Sequence, residues 1–164
     1  MDIRKAYLEY FKKNGHLVMP SSSLIPADDP SVLLTTAGMQ QFKPYYLGTK
    51  KPPHPRIATV QKCFRTSDIE SVGYTDRHLT FFEMLGNFAF ADYFKKEAIN
   101  FAVGFCLNEI QLPLESLRVG VFAGDDSIPE DKEAIQLWES HGITLEHMYR
   151  FGKSENFWGP AGES

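Results

Sequence analysis

Two neighbouring stretches show an alternation of side chains that predicts a β-hairpin over residues 56–90. Successive residues of a strand point to opposite faces, so every second position shares a face. One face of the first strand carries Ile57, Thr59, Gln61, Cys63 and Arg65. One face of the second strand carries Thr80, Phe82, Met84, Gly86 and Phe88. We expect both faces of the hairpin to be largely covered, as in the centre of a sheet.

Apolar residues at helical spacing predict helices before and after this hairpin. A first helix is expected over residues 2–13, and a shorter one over residues 40–47. A third is expected over residues 93–110, with Asp92 as its N-cap, and a fourth over residues 130–141. The hairpin therefore lies between helical segments on both sides.

Short apolar runs predict three further strands, at residues 32–36, 117–123 and 147–151. Residues 20–31 are rich in Pro, Ser and Asp and read as surface loop. The chain has no internal repeat and no long linker. The simplest architecture is an α+β fold, with an antiparallel β-sheet flanked by helices, in a single domain over residues 1–164.

Composition places the chain among globular proteins. It has 164 residues, 43% of them hydrophobic, and no apolar run near the roughly 20 residues that cross a bilayer. Its N-terminus is charged and amphipathic, so the default expectation is a cytoplasmic protein with no membrane contact. Cys63 and Cys106 are too few for a disulfide framework, and no CxxC or HExxH spacing predicts a metal site. We expect both cysteines to be buried.

Charge is distributed unevenly along the chain, although the formal net charge is only -4. No acidic residue lies between Asp29 and Asp68, where six basic residues occur: Lys43, Lys50, Lys51, Arg56, Lys62 and Arg65. This segment could meet a polyanion such as ATP or the phosphate backbone of RNA. A solvated basic surface is the alternative for the exposed lysines.

The sequence matches none of the common phosphate-binding or nucleophile motifs. Gly152-Lys153-Ser154 resembles the end of a P-loop, but the pattern requires glycine at the position of His147. No GxGxxG and no GxSxG motif occurs, so dinucleotide-binding and α/β-hydrolase functions have no motif support.

Arg65 is the residue whose position most strongly indicates a binding site. It follows a predicted buried strand and precedes the polar loop TSDIESVGYTD. The planar guanidinium can hold two anionic oxygens there. A structural ion pair with Asp68 or Glu70 is an equally weighted alternative.

The other end of the loop adds three candidates. Arg77 and His78 supply donors, and Phe82 lies four residues after His78, where its ring could stack on a base. Taken singly, His78 is more often a partly buried histidine and Phe82 more often a core residue. The order Arg65, loop, His78, Phe82 carries the prediction, and not any one member.

That order resembles motif 2 of the class II aminoacyl-tRNA synthetases, with Phe64-Arg65 and His78 to Phe82 as its two halves. Three segments are similar, nearly word for word, to the alanyl-tRNA synthetase family: TAGMQQFKPYYLG, QKCFRTSDIESVGYTDRH and TFFEMLGNFAFADYFKKEAI. The segment GHLVMPSSSLIPADDPSVLL fits the motif 1 region of that family. The resemblance runs from the first helix to ENFW and so covers essentially the whole chain.

The resemblance implies ATP-dependent activation of alanine to alanyl-adenylate and its transfer to the acceptor end of tRNA(Ala) in a full-length parent. Arg65 would bridge the α-phosphate and the attacking carboxylate, and Arg77 and His78 would reach the outer phosphates. Phe82 would stack the adenine, and Asp68 or Glu70 would orient the base or the arginine. Met39 and Trp158 are implied as walls of a small amino-acid pocket. Mg²⁺ would screen the triphosphate, with no protein ligand assigned.

The chain also departs from the family pattern. Thr36 stands where Asn is common, Leu79 where a second His is usual, and Ala91 where Gly is usual. Motif 3 and the tRNA-recognition and editing regions are not present in these 164 residues, and any zinc would belong to the absent editing domain. We therefore expect the chain to be the N-terminal part of the catalytic domain, weakly active or inactive alone.

Two alternatives stay open. One is a non-catalytic paralogue that acts as a nucleotide- or RNA-binding module, and the other is a structural fragment with no activity. An uncovered sheet edge could also drive self-association.

Overall fold

The computed structural model describes residues 1–26, 32–67 and 69–156. The chain divides into two compact units, Met1–Asp92 and Tyr93–Ser164. The described helices are α1 (Ile3–Lys13), α2 (Lys43–Tyr46), α3 (Lys95–Val103), α4 (Lys132–Ser140) and α5 (Lys153–Asn156). The described strands are β1 (Leu17–Val18), β2 (Arg56–Phe64), β3 (Phe81–Ala89), β4 (Val119–Phe122) and β5 (Met148–Phe151).

The first unit is built on a three-stranded sheet in the order β1-β2-β3. β2 and β3 pair antiparallel over their full nine residues, from Arg56 opposite Ala89 to Phe64 opposite Phe81. β1 adds a short parallel pair on the other side of β2. The predicted hairpin is confirmed, with boundaries within about one residue of those expected.

Helix α1 is amphipathic and packs on this hairpin through its apolar face. Tyr7 and Phe11 are buried, and the Tyr7 hydroxyl donates to the Asn87 side chain of β3 at 2.9 Å. Arg4 forms an ion pair with Glu83 of the same strand. The Asp2 carboxylate accepts from the backbone N–H of Arg4 and Lys5 and so caps the helix.

An aromatic cluster closes the other end of the hairpin. Phe42 is fully buried, and its ring centroid lies 4.7 Å from that of Phe88. Tyr45 and Phe90 pack edge to face at 5.6 Å. This packing fixes the segment around residues 40–46 against the end of the hairpin where β3 finishes.

The second unit has its own core and a two-stranded sheet. β4 and β5 pair parallel, from Val119 opposite Met148 to Phe122 opposite Phe151. Helices α3 and α4 contribute to one cluster of buried residues: Ile99, Val103, Val121, Ala134, Ile135, Ile143 and Met148. The α+β class is confirmed. The parallel pairs add to the antiparallel pairing that the sequence predicted.

The strand predicted at residues 32–36 is wrong. Among the described residues 32–36, none belongs to a strand. Thr35 makes single backbone bonds instead: its N–H donates to the Leu24 carbonyl and its carbonyl accepts from the Phe64 N–H, each at 2.8 Å. Isolated bonds to two different partners do not make a ladder, so the segment is ordered without being a strand.

The predicted start of the third helix is also wrong. α3 begins at Lys95 with Phe94 at the N-cap position, and Gly104–Glu109 continues as a π-helix. Asp92 forms an ion pair with Arg56 and caps no helix. Asp92 thus pairs with a residue 36 positions away in sequence instead of capping the neighbouring helix.

The expectation that both hairpin faces are largely covered is met more fully by β2 than by β3. Five β2 residues are buried, whereas every residue of β3 keeps some exposure. β3 lies at the end of the strand order, so one of its edges pairs with no strand among the described residues. Of the two cysteines, Cys63 is buried and Cys106 is half-buried. Within the described ranges, no helix is long and apolar enough to span a bilayer.

Candidate functional site

Arg65 directly follows β2, where the hairpin backbone still holds it. Its N–H donates to the Thr80 carbonyl at 2.8 Å, which extends the β2–β3 pairing by one bond. The Arg65 side chain is exposed, while Cys63, two residues earlier on the same face, is fully buried. The guanidinium therefore projects from the rim of a buried face into solvent.

Phe82 is the residue that the structure brings to Arg65. The guanidinium carbon of Arg65 lies 5.2 Å from the centroid of the Phe82 ring, within cation–π range. Phe82 stands opposite Cys63 in the strand register, and its side chain is half-buried. Two of the predicted site residues thus form one unit, a cation lying over an aromatic ring.

The Arg65 side chain is held by a backbone carbonyl. Its Nε donates to the Thr36 carbonyl at 2.8 Å. The predicted alternative, an ion pair with Glu70, is not formed, because no such pair is present among residues 1–26, 32–67 and 69–156. The other carboxylate of that alternative, Asp68, lies outside the described residues.

The loop between β2 and β3 places the remaining polar candidates separately. The Thr75 hydroxyl and the Nδ1 of His78 share a hydrogen bond of 2.6 Å, and His78 is half-buried. Glu70 lies in a 3₁₀ turn, Ile69–Ser71, and is exposed, as is Arg77. Among the described residues, neither makes a hydrogen bond or an ion pair with Arg65, whose side-chain partners there are Thr36 and Phe82.

Met39, which the sequence predicts as a wall of an amino-acid pocket, is a buried residue of the first unit. The N–H of its neighbour Gly38 lies 3.1 Å from the Met84 sulfur. Met84 shares the β3 face of Phe82, so it links the Met39 region to the Arg65–Phe82 pair. Trp158, the other predicted wall, lies outside the described residues.

Cys63 supports the site without chemistry of its own. Burial raises the pKa of its thiol, although the nearby Arg65 charge acts in the opposite direction. A thiol with a raised pKa stays protonated near neutral pH and is a poor nucleophile. Cys63 therefore packs as a small apolar residue beneath Arg65.

A cavity of about 520 Å³ lies in the first unit, between the loop before residue 26 and the segment 40–50. Polar side chains dominate part of its wall: Ser22, Ser23, Thr35, Gln40, Gln41, Lys43, Thr49 and Lys50. It does not include Arg65 or Phe82. Thr35 lines this cavity, and the next residue, Thr36, bonds Arg65.

The described side chains do not converge on a metal-binding cluster. No group of three or more His, Cys, Asp or Glu side chains that could hold an ion occurs in the described ranges 1–26, 32–67 and 69–156. Glu70 is an isolated exposed carboxylate there. These described residues do not form a Mg²⁺ or zinc site.

The comparisons with known proteins address the family directly. The model of the family "tRNA synthetases class II (A)" matches residues 2–163. The chain belongs to the class II tRNA synthetase family.

Curated relatives share most of the positions of this class II synthetase chain. It is 57% identical to an alanine–tRNA ligase of Rubrobacter xylanophilus over 163 residues, which cover 99% of this chain and 18% of that protein. Identity is 53% to an alanine–tRNA ligase of Dehalococcoides mccartyi and 52% to one of Leptospira biflexa, again over 99% of this chain. These matches cover 18% and 17% of the two relatives. The chain thus spans less than a fifth of the length of these relatives.

Sequence reasoning missed the residues that hold Arg65 in this synthetase chain. The acceptor for its Nε is a main-chain carbonyl, which any residue at position 36 would supply, so no motif marks it. The side chain of Gln40 accepts a hydrogen bond from the Thr36 N–H, whereas the sequence predicts Gln40 only as the first residue of a helix. Met84 could have been found, because the period of two places it on the face of Phe82.

Proposed function

We propose that this chain forms the N-terminal part of an aminoacylation catalytic domain, with residues 1–164 as a portion of one domain, and that the parent protein activates alanine with ATP. The product, alanyl-adenylate, then donates alanine to the acceptor end of tRNA(Ala). The relatives are alanine–tRNA ligases, which supports this choice of substrate. A cytoplasmic location with ATP, alanine and tRNA as partners belongs to the same proposal.

The single observation that carries the proposal is the pairing of Arg65 with Phe82, with 5.2 Å between the guanidinium carbon and the ring centroid. An adenine nucleotide needs an aromatic surface for its base and a cation for its phosphates. This pair offers both within one hairpin. With Nε engaged by Thr36, the terminal nitrogens of Arg65 remain for anionic oxygens.

The activation step needs charge neutralisation more than proton transfer. The alanine carboxylate attacks the α-phosphorus of ATP, a new P–O bond forms, and the bond to pyrophosphate breaks. A carboxylate is already ionised at neutral pH, so no general base is required. Arg65 would bridge the α-phosphate and the attacking carboxylate, while Arg77 and His78 would reach the outer phosphates. Mg²⁺ would accompany ATP as a counter-ion of the triphosphate, with no protein ligand assigned and no step of the reaction placed on it.

Amino-acid selection would depend on a tight pocket. Met39 and Met84 offer an apolar wall near Gly38, and Trp158 would supply another. Excluding one methylene is worth only about 1–3 kcal/mol, so size alone separates alanine from glycine or serine imperfectly. Asp68 or Glu70 would orient the base or the arginine from the loop.

The test is alanine-dependent exchange of pyrophosphate into ATP, measured on the natural full-length protein. Arg65→Ala should lower the exchange rate by about 100- to 1,000-fold, because a donor to developing charge is lost. Arg118→Ala is the matched control, since Arg118 is an exposed arginine that bonds only local carbonyls among its described contacts. Near-normal exchange in Arg65→Ala would exclude the assigned role.

A second copy of this chain is a further candidate partner, and the exposed edge of β3 supports it. β3 is nine residues long, every residue is at least partly exposed, and one edge pairs with no described strand. Such an edge favours pairing with another strand, including that of a second copy. Sedimentation of residues 1–164 across a concentration series would reveal it. A single monomeric species at all concentrations would exclude it.

A further inference from the structure

Gln40 is a buried side chain whose two polar atoms have different fates. Only 8% of the residue is exposed. Its Oε1 accepts from the Thr36 N–H at 3.0 Å. Its Nε2 has no hydrogen-bond partner among the described residues. Among the residues that the structure describes, the oxygen therefore makes the only hydrogen bond of this side-chain amide.

The peptide units of Thr36 connect Gln40 to Arg65. The Thr36 N–H is bound by Gln40, and the Thr36 carbonyl accepts from Arg65 Nε at 2.8 Å. The preceding residue, Thr35, is 2% exposed, and its hydroxyl donates to the Ser23 carbonyl at 2.8 Å. The Thr36 carbonyl is thus held from both sides of the residue, although residues 35 and 36 belong to no strand or helix.

We propose that Gln40 is a positioning residue for Arg65: by binding the Thr36 N–H, it aims the Thr36 carbonyl at Arg65 Nε and so fixes the guanidinium over Phe82. Gln40 touches no reacting atom in this role. What the held arginine does for ATP rests on the proposed function, whereas the positioning itself depends only on this chain.

The physical need for such a residue follows from the exposure of Arg65. An exposed arginine samples many rotamers, and holding it costs up to about 2 kcal/mol of side-chain entropy. Catalysis by charge stabilisation requires donors that are already in place before the charge develops. The hydrogen bond from Arg65 Nε to the Thr36 carbonyl restricts the arginine side chain. The terminal nitrogens Nη1 and Nη2 make no hydrogen bond to another described residue.

The opposing explanation is that Gln40 only stabilises its own segment. Gln40→Met separates the two, because methionine has a similar volume and lacks the acceptor. The unpartnered Nε2 means that only one hydrogen bond is lost. Gln41→Met is the matched control: it removes the Gln41 Nε2 bond to Gln61 Oε1, 2.8 Å long, while Gln61 Oε1 keeps the Ser22 N–H as donor.

The first measurement is NMR of the arginine Nε–Hε groups in residues 1–164, with Arg65 assigned by its loss in Arg65→Lys. Exchange of the Arg65 Hε with water should rise at least tenfold in Gln40→Met and stay near wild type in Gln41→Met. The melting temperature of Gln40→Met should stay within a few degrees of wild type. Unchanged exchange in Gln40→Met, or equal acceleration in both variants, overturns the inference.

The second measurement is a double-mutant cycle on pyrophosphate exchange in the full-length protein. Gln40→Met should lower kcat about tenfold with a smaller change in the KM for ATP, and should cause no further loss in the Arg65→Ala background. Equal losses in both backgrounds would mean that Gln40 acts independently of Arg65. If Arg65→Ala itself leaves exchange unchanged, the proposed function fails, while the NMR result still decides the positioning role.

Discussion

The guanidinium carbon of Arg65 lies 5.2 Å from the centroid of the Phe82 ring, although 16 residues separate them in the chain. The contact exists because β2 and β3 are in register, with Cys63 opposite Phe82 and Phe64 opposite Phe81. Arg65 extends past the last pair and turns back over the neighbouring strand. One side of the Phe82 ring therefore carries a cation, and a base would stack where the arginine leaves the ring open.

Phe82→Leu should weaken ATP binding about 10- to 100-fold, because aromatic stacking on a base is worth about 1–3 kcal/mol. The measurement is calorimetric titration of ATP into the full-length protein. Phe82→Tyr should retain most of the affinity, since its ring can still stack.

Phe81→Leu is the control for Phe82→Leu. Phe81 is the next residue of β3, points to the opposite face and is 47% exposed. It should leave ATP affinity within about twofold of wild type. Equal losses from both changes would mean that the strand, and not the Phe82 ring, determines binding.

The hairpin and its two principal site residues could be predicted because they depend on local rules. A period of two fixes which side chains share a face, so the sequence predicted the strand limits and the sides of Arg65 and Phe82. The carbonyl of Thr36 could not be predicted in the same way. It reaches Arg65 through a segment without regular structure, whose course is set by Leu24, Gln40 and Phe64.

Asp92 shows that an ion pair with a distant residue can replace the N-cap role that the local sequence predicts. Aspartate just before an apolar-periodic stretch is a common N-cap, and the helix was expected to start at residue 93. Arg56 lies at the start of β2, opposite Ala89, and the hairpin brings it to Asp92. Local sequence contains no information about that partner, so α3 begins two residues later than predicted.

Asp131→Ala should destabilise the second unit by about 1–2 kcal/mol. The Asp131 carboxylate caps α4 by accepting from the Ala134 N–H at 3.1 Å, and it also binds Lys95 Nζ at 2.7 Å. Asp131→Asn keeps the cap and should cost less. Glu133 is the other ion-pair partner of Lys95, and its side chain is more exposed than that of Asp131. Glu133→Ala should therefore change stability by under about 0.5 kcal/mol. Urea unfolding followed by circular dichroism measures all three; an equal effect of Ala and Asn would exclude capping as the cause.

His16 should make the first unit less stable in mild acid. It is 4% exposed, and burial lowers the pKa of its imidazole below the usual value, with Arg56 adding to the effect. Below about pH 6.5 the unfolded chain therefore binds a proton that the folded chain resists. The urea midpoint should fall from pH 7.5 to 5.5, and the fall should be smaller in His16→Gln. A His54→Gln variant controls for the loss of a histidine elsewhere in the first unit, and equal pH profiles in His16→Gln and wild type would contradict the prediction.

Ala91→Gly should stabilise the chain by about 0.5–1 kcal/mol. Ala91 has a φ of 52°, in the left-handed region that costs an L-residue roughly 1–2 kcal/mol, while glycine adopts it without a steric penalty and loses somewhat more entropy on folding. Glycine is also the residue expected there from the resemblance to the family. Ala98→Gly, inside α3, should instead destabilise by about 1 kcal/mol. The denaturant midpoint of unfolding should therefore rise in Ala91→Gly and fall in Ala98→Gly. A fall in both variants would mean that the backbone at residue 91 is not strained.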